Sequence, residues 1–356
     1  MKMVNNMELS LKNREWKEFD IDLIFNVSGT VTTHPSKLIK GGNVPRITCA
    51  ATNNGFENTY KNKPTEKGGV ITIDSATIGY VSYQPFDFIA TDHVEKISLK
   101  NNEKINKYLG NFIVFAIMNA TKKKYGYGYK FSQSRIKRQK ILLPVNSKGD
   151  PDYEFMENYM RAKEQEKTNV YKNYISKRIS ELEDTKEVVP LSEKDWAEFE
   201  ISKIFKLKAG KRLTKADMKK GKKPFIGATE YNNGITEYIS NTNISEDCNV
   251  LGVNYNGSVV ENFYHPYTAL FSDDVKRLSY KDVEGNKHLY LFAKTQILKQ
   301  KSKYQYGYKF NGTRMNKQKI MLPINDNHEP DYEYMENYMK QLELKKLKKY
   351  LKYKNV

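Results

Sequence analysis

Two runs of this chain set cations, phenols and glycines side by side. They are Lys122-Lys123-Lys124-Tyr125-Gly126-Tyr127-Gly128-Tyr129-Lys130 and Lys299-Gln300-Lys301-Ser302-Lys303-Tyr304-Gln305-Tyr306-Gly307-Tyr308-Lys309. Such a run suits a phosphate backbone: lysine neutralises it, a tyrosine hydroxyl donates to it, and glycine lets main-chain amides come close. Arg135, Lys137, Arg138 and Lys140 extend the first patch, and Arg314, Lys317 and Lys319 the second. The whole chain carries 60 Lys+Arg against 42 Asp+Glu, a formal +18, so its field favours polyanions: DNA, RNA or an anionic membrane. The competing reading is structural. Tyr127 and Tyr129 would then be packed strand aromatics and the lysines a solvated face.

Base edges call for other side chains. Asn and Gln match adenine, Arg and Lys match guanine. Asn53, Asn54, Lys61 and Lys63 are candidates in the first half of the chain; Glu230, Asn232, Asn233, Asn254, Asn256 and Ser258 are candidates in the second. Asn-Gly pairs serve equally as turn formers, because both residues tolerate positive φ.

Catalytic chemistry finds little support. There is no Pro-Pro, hence no Asn/Asp-Pro-Pro-aromatic loop to grip a flipped adenine. No P-loop occurs, and no Gly-x-Gly loop follows a strand to hold a nucleoside cofactor. Pro330-Asp331 with Glu343-Leu344-Lys345 spells a metal-dependent nuclease pattern, but Pro151-Asp152 in the first half has no matching Glu-x-Lys. Both aspartates stand where a helix N-cap needs Asp. His34, His93, His265, His288 and His328 have no ligand spacing, and Cys49 and Cys248 are too few for a metal site or disulfide framework. No catalytic residue, cofactor or metal is expected. No apolar run approaches the roughly 18–20 residues of a membrane span, and no apolar segment opens the chain, which points to the cytoplasm.

What positions these residues is a repeat. Glu15-Trp16-Lys17-Glu18-Phe19-Asp20-Ile21 returns 180 residues later as Asp195-Trp196-Ala197-Glu198-Phe199-Glu200-Ile201, each leading to Ile-Phe (Ile24-Phe25, Ile204-Phe205). Asn53-Asn54-Gly55 returns as Asn232-Asn233-Gly234, and the Lys–Tyr runs match each other. Gln139-Lys140-Ile141 with Leu143-Pro144 matches Gln318-Lys319-Ile320 with Leu322-Pro323, and Pro151–Met160 matches Pro330–Met339. The ends of each copy agree closely, while the middles, 56–124 and 235–303, differ at most positions. Divergent middles on a common frame suggest two different recognition surfaces; faster drift of loops is the alternative.

Within a copy the fold class reads as α+β. Val70-Ile71-Thr72-Ile73 and Asn249–Val253 are β-branched runs bounded by turn residues, and the pattern turns helical near 108–119 and 288–300. Each copy ends in a long helix, 152–183 and about 331–354, opened by Asp152 or Asp331 with Glu154 or Glu333 in the first turn. Phe155, Tyr159, Ala162, Val170, Tyr174, Ile179 and Leu182 give the first helix a broken apolar stripe, interrupted over 163–169. Met335, Tyr338, Met339, Leu342, Leu347 and Leu351 mark the second. The expected boundaries are a globule over 1–150, a helix over 151–189, a globule over 190–329 and a helix over 330–356.

Globules alternating with long helices, the W-x-x-F-x-I-x-x-I-F entry strands at Trp16 and Trp196, and the Gln-Lys-Ile-x-Leu-Pro segments together resemble the specificity subunits of type I restriction-modification systems. The resemblance spans nearly the whole chain. It implies two target-recognition domains, each reading half of a split double-stranded DNA target. It implies helices that pair as an antiparallel coiled-coil spacer setting the gap. Two methyltransferase subunits would dock on those helices, and motor-nuclease subunits could join. Two other readings stay open: a stand-alone duplicated DNA- or RNA-binding regulator, and the specificity subunit of a related system with a fused methyltransferase-nuclease.

Overall fold

Among the described residues of the first copy, the β-branched runs and turn residues resolve into nine strands: β1 (Trp16–Asp20), β2 (Phe25–Gly29), β3 (Lys40–Ile47), β4 (Phe56–Tyr60), β5 (Val70–Asp74), β6 (Val81–Gln84), β7 (Ile89–Ala90), β8 (Val94–Leu99) and β9 (Lys140–Pro144). The structure is a computed structural model, and it describes residues 9–101, 103–305 and 307–353. Its two units are Met1–Tyr171 and Lys172–Val356. In the first, β2-β8-β5-β6 form an antiparallel sheet and β4-β3-β7 a second, with β3 and β7 parallel. The entry strand β1 pairs with β9, Trp16 opposite Pro144.

Every residue of β5 is buried, because strands flank it on both edges and apolar groups cover it. The helix Lys107–Thr121 starts where Asn106 accepts from the amides of Tyr108 and Leu109, and it buries Leu109, Phe112, Ile113 and Ile117. These meet Phe25, Ile71, Ile73, Ile97 and Phe131 in one core. Each such side chain contributes about 1.5–3 kcal/mol by leaving water.

The second unit repeats the plan with β10 (Trp196–Glu200), β11 (Phe205–Ala209), β12 (Lys220–Ile226), β13 (Ile235–Ile239), β14 (Glu246–Asp247), β15 (Val250–Asn254), β16 (Asn262–His265), β17 (Ala269–Phe271), β18 (Val275–Tyr280), β19 (Lys319–Pro323) and the helix Lys287–Leu298. Its sheets, β11-β18-β15-β16 and β13-β12-β17-β14, match those of the first unit apart from the added short β14. The middles that differ in sequence therefore share their elements.

Two long helices complete the chain, a central one over Tyr153–Leu182 and a distal one over Tyr332–Tyr353. Asp152 Oδ1 accepts from the Phe155 amide at 3.0 Å and Asp331 Oδ1 from the Tyr334 amide at 2.9 Å, the capping role expected of both. The expected end of the distal helix at 354 lies outside the described residues. The apolar stripe of the central helix differs from the expected one. Phe155, Met156, Ile175 and Leu182 are buried, whereas Val170 and Tyr174 are exposed. Ile175 stands four and seven residues before Ile179 and Leu182, on one helical face with them, and takes the inward place expected of Tyr174.

The same interlock ties globule to helix in both copies. Trp16 stacks on Phe112, which meets Tyr159 edge-on; Trp196, Phe292 and Tyr338 repeat this, with interplanar angles of 19° and 88° each time. Asn106 donates to Glu157 at 2.7 Å and Asn286 to Glu336 at 2.9 Å. Lys107 pairs with Glu164 and Lys287 with Glu343, both at 2.9 Å. In the second unit Glu343 also takes Arg178 at 3.0 Å, from the last turns of the central helix, and His288 at 2.8 Å. Lys186, just beyond that helix, pairs with Glu333. Positions that rise from 178 to 186 thus meet positions that fall from 343 to 333.

Candidate nucleic-acid interface

Each Lys–Tyr run folds as a small hairpin after the core helix. Gly126 and Tyr129 exchange amide-to-carbonyl bonds of 3.2 and 3.0 Å, which leaves Tyr127 and Gly128 at the tip. Tyr127 is 84% exposed. Tyr125 points the other way: its ring stacks on buried Phe131 at 4.2 Å, and its hydroxyl reaches Gln139 Oε1 at 2.9 Å. Lys124 donates to the same Gln139 oxygen at 2.8 Å. The second hairpin closes through Gln305 and Tyr308, with Tyr304 against Phe310 at 4.4 Å and its hydroxyl on Gln318 at 2.7 Å. Tyr306 lies outside the described residues. Tyr125 and Tyr304 are thus internal anchors, a correction to their expected phosphate role that follows from the buried partner each ring stacks on.

Arginines cover the far side of each hairpin. Arg135 lies over the Tyr129 ring at 4.0 Å and donates to the Lys130 carbonyl at 2.7 Å; Arg314 lies over Tyr308 at 3.7 Å and donates to the Lys309 carbonyl at 2.8 Å. Both guanidiniums are held in place while keeping donors for an anion. Lys123, Lys130, Arg138 and Lys317 are exposed, and Lys137 is half-buried. Lys301 is paired with Glu261, and Lys303 donates to Gln300 at 2.8 Å. Gly126, Gly128 and Gly307 face open space, since an added Cβ would meet nothing within 4 Å. An open cleft of about 720 Å³ runs beside the second hairpin, lined by Lys303, Tyr304, Tyr308, Arg314, Lys317 and Lys319.

The Asn-Asn-Gly triplets form a second exposed feature. Asn53, Asn54 and Gly55 have φ of 49°, 55° and 74°, and Asn232, Asn233 and Gly234 have 50°, 56° and 77°. Three successive left-handed residues explain the choice of Asn and Gly. At Gly55 a Cβ would stand 2.7 Å from the Thr48 carbonyl. Inside the fold, Ser82 Oγ and Gln84 Nε2 donate to the Asn54 carbonyl at 3.2 and 2.9 Å. All four asparagine side chains are exposed, as are Lys61, Lys63 and Glu230. Asn254 is different. It is 1% exposed, in a strand buried at every position, and donates to the Thr229 carbonyl at 3.1 Å, so it is a core residue and not a base reader. Asn256 is held on Asp274 at 3.0 Å, and Ser258 is half-buried in the same turn.

A family profile described as "Type I restriction modification DNA specificity domain" matches residues 13–172 and again residues 193–352. The chain belongs to this family. Its two specificity domains account for the two copies of the repeat. The chain is 44% identical over 340 residues to S.BcgI, the specificity subunit of a type II restriction enzyme from Heyndrickxia coagulans, covering 93% of this chain and 95% of that protein. The crystal structure of a type I system S subunit from M. genitalium has the same fold, with TM-score 0.56 at 15% identity over 99% of this chain and 93% of that one.

Within the specificity domains, the carboxylates of the nuclease-like pattern have structural partners. Asp152 faces Arg14 at 3.5 Å, Asp331 faces Lys194 at 2.8 Å, and Glu343 is the shared acceptor described above. Among the described residues no group of three His, Cys, Asp or Glu could hold a metal ion, and no helix is long and apolar enough to cross a membrane. Exposed cations also occur where no Lys–Tyr alternation marks them. Nine of the eighteen residues 206–223 are Lys or Arg, and that density is the signal that identifies them.

Proposed function

We propose that this chain is the DNA-reading specificity subunit of a restriction-modification complex, in which each specificity domain reads one half of a bipartite double-stranded target. The observation that carries this is the contrast within the repeat: one frame and one globule-to-helix interlock, while the middles, 56–124 and 235–303, differ at most positions. The hairpin cations with Tyr127 would follow phosphates. Asn53, Asn54, Asn232 and Asn233 would face base edges.

The two helices would pair as an antiparallel coiled coil, which the Arg178–Glu343 and Lys186–Glu333 contacts support. The 30-residue central helix spans about 45 Å, or roughly 13 base pairs at about 3.4 Å each, so it would hold the half-sites more than one helical turn apart. Methyltransferase subunits would dock on the helices and supply the chemistry, and this chain would itself be non-catalytic. S.BcgI is the specificity subunit of a type II restriction enzyme, which keeps open a related system, such as one with a fused methyltransferase-nuclease, beside one with separate motor-nuclease subunits.

Methylation sequencing of cells expressing this chain with its methyltransferase tests the proposal. A split adenine-methylated motif is expected, with residues 1–150 governing one half alone. A methylation pattern indifferent to this chain refutes it.

A further inference from the structure

The segment that leaves β11 and runs into the start of β12 is built like its counterpart in the first unit but charged unlike it. In both, an asparagine from beyond the next strand holds the main chain. Asn62 accepts from the Ile39 amide at 2.9 Å and donates to the Lys37 carbonyl at 2.8 Å. Asn241 does the same to Lys219 and Asp217, at 2.8 and 3.0 Å. A glycine bulge follows in each, at Gly42 and Gly221, where a Cβ would collide with the neighbouring strand. The backbone is therefore fixed by contacts that need no lysine.

The first unit places only Lys37 and Lys40 along this path; the second places Lys211, Arg212, Lys215, Lys219, Lys220 and Lys222 there, all exposed. Among the described residues none of these six forms an ion pair, whereas Lys208 and Lys223 at the margins pair with Asp247 and Glu246. Asp217 is the one carboxylate in the segment, and it is engaged by Thr214. Crowded like charges oppose folding through mutual repulsion. The first unit proves that the frame closes without them, so they answer to a ligand.

We infer that residues 211–222 form a phosphate-binding strap for the backbone of double-stranded DNA, present in the second specificity domain and lacking in the first. The inference rests on the DNA-reading function proposed above and adds an asymmetry to it: the second domain has a phosphate grip beyond the hairpin that both domains carry. Clamped main chain with free cationic side chains suits an elongated anion whose charges recur at regular intervals.

The test uses the full chain and a random-sequence 40-base-pair duplex, with affinity measured by fluorescence anisotropy across a salt series. Each phosphate contact contributes about 0.9 to the slope of log K against log salt. Changing the six residues to Gln (K211Q, R212Q, K215Q, K219Q, K220Q, K222Q) is expected to make that slope shallower by at least about 3, while K37Q with K40Q changes it by no more than about 2. Arginine in place of the five lysines should keep the wild-type slope. A smaller change in the six-fold variant, or a slope lost in the arginine set as well, overturns the strap. If the wild-type chain binds the duplex without salt dependence, the DNA-reading function fails and takes the strap with it. Unchanged circular dichroism confirms that each variant is folded.

Discussion

His265 allows the internal construction of the second unit to be measured directly. The imidazole is fully buried, edge-on to Phe271 at 5.2 Å, with Nδ1 3.3 Å from the Tyr267 hydroxyl and Nε2 unpartnered. Burial, with a smaller effect from the charge of Lys294, brings its pKa from 6.5 down to about 4. The folded ring is therefore neutral at pH values where the unfolded chain already takes up a proton. Stability is complete above pH 6.5 and falls as the pH drops from 6.5 to about 4. At about 1.36 kcal/mol per pH unit the loss is about 3 kcal/mol. The first unit supplies the control, because Gln84 stands opposite Val70 as His265 stands opposite Val250. His265→Gln removes the titration and keeps a polar side chain of similar reach. Urea unfolding followed by Trp196 fluorescence, in a Trp16→Phe background, should show the stability difference between parent and variant changing by about 3 kcal/mol between pH 7 and 4. Carboxylates titrating in the same window are common to both proteins and cancel. A difference constant to within about 0.5 kcal/mol across that range would refute the reasoning.

Glu343 is held near pKa 2: burial opposes its charge, but hydrogen bonds from Arg178, Lys287 and His288 outweigh that. Its contribution is present above about pH 4.5 and lost as the pH falls toward 2, so Glu343→Gln should cost about 1–2 kcal/mol at pH 7, after allowance for solvent screening, and about half of that at pH 3 in urea titrations. Gly55→Ala, at φ 74° with a carbonyl in the way, should cost about 1–3 kcal/mol, read as a drop of several degrees in Tm. Tyr125→Phe should lose about 1 kcal/mol of stability with DNA affinity unchanged, and Tyr127→Ala the reverse, about 1 kcal/mol of binding with Tm unchanged. Thermal melts beside anisotropy titrations separate these two tyrosines.

Much of this architecture was readable because a repeat supplies its own comparison. The entry strands, the buried runs at 70–74 and 250–254 and the core helices appear where apolar spacing and turn residues put them, and both aspartates cap the long helices as expected. Side-chain direction was not readable. Tyr125 and Tyr127 are two residues apart in one Lys–Tyr run, yet the hairpin turns the first onto Phe131 and the second into solvent. Asn254, a base-edge candidate by residue type, is instead the last position of a fully buried strand. Val170 and Tyr174 were counted into the helical stripe, but the face shared with Ile179 and Leu182 is continued by Ile175. In each case tertiary packing decided among orientations that local pattern leaves equivalent.

The division of labour inside each copy follows from which contacts the copies share. Trp16, Phe112 and Tyr159 match Trp196, Phe292 and Tyr338 in both identity and geometry, and the Asn–Glu and Lys–Glu links match as well. The exposed triplets, identical in backbone, are instead braced by different groups: Ser82 and Gln84 beneath Asn54, Tyr267 against Asn233. A substitution in the brace therefore alters how the turn presents its asparagines without touching the stacked rings that fix the globule on its helix. The readout proposed for these asparagines could then change while the setting of the helix stays, because the turn and the interlock are held by separate sets of side chains. That separation predicts that Gln84→Ala alters the first half of the recognised motif and leaves the gap length as it was.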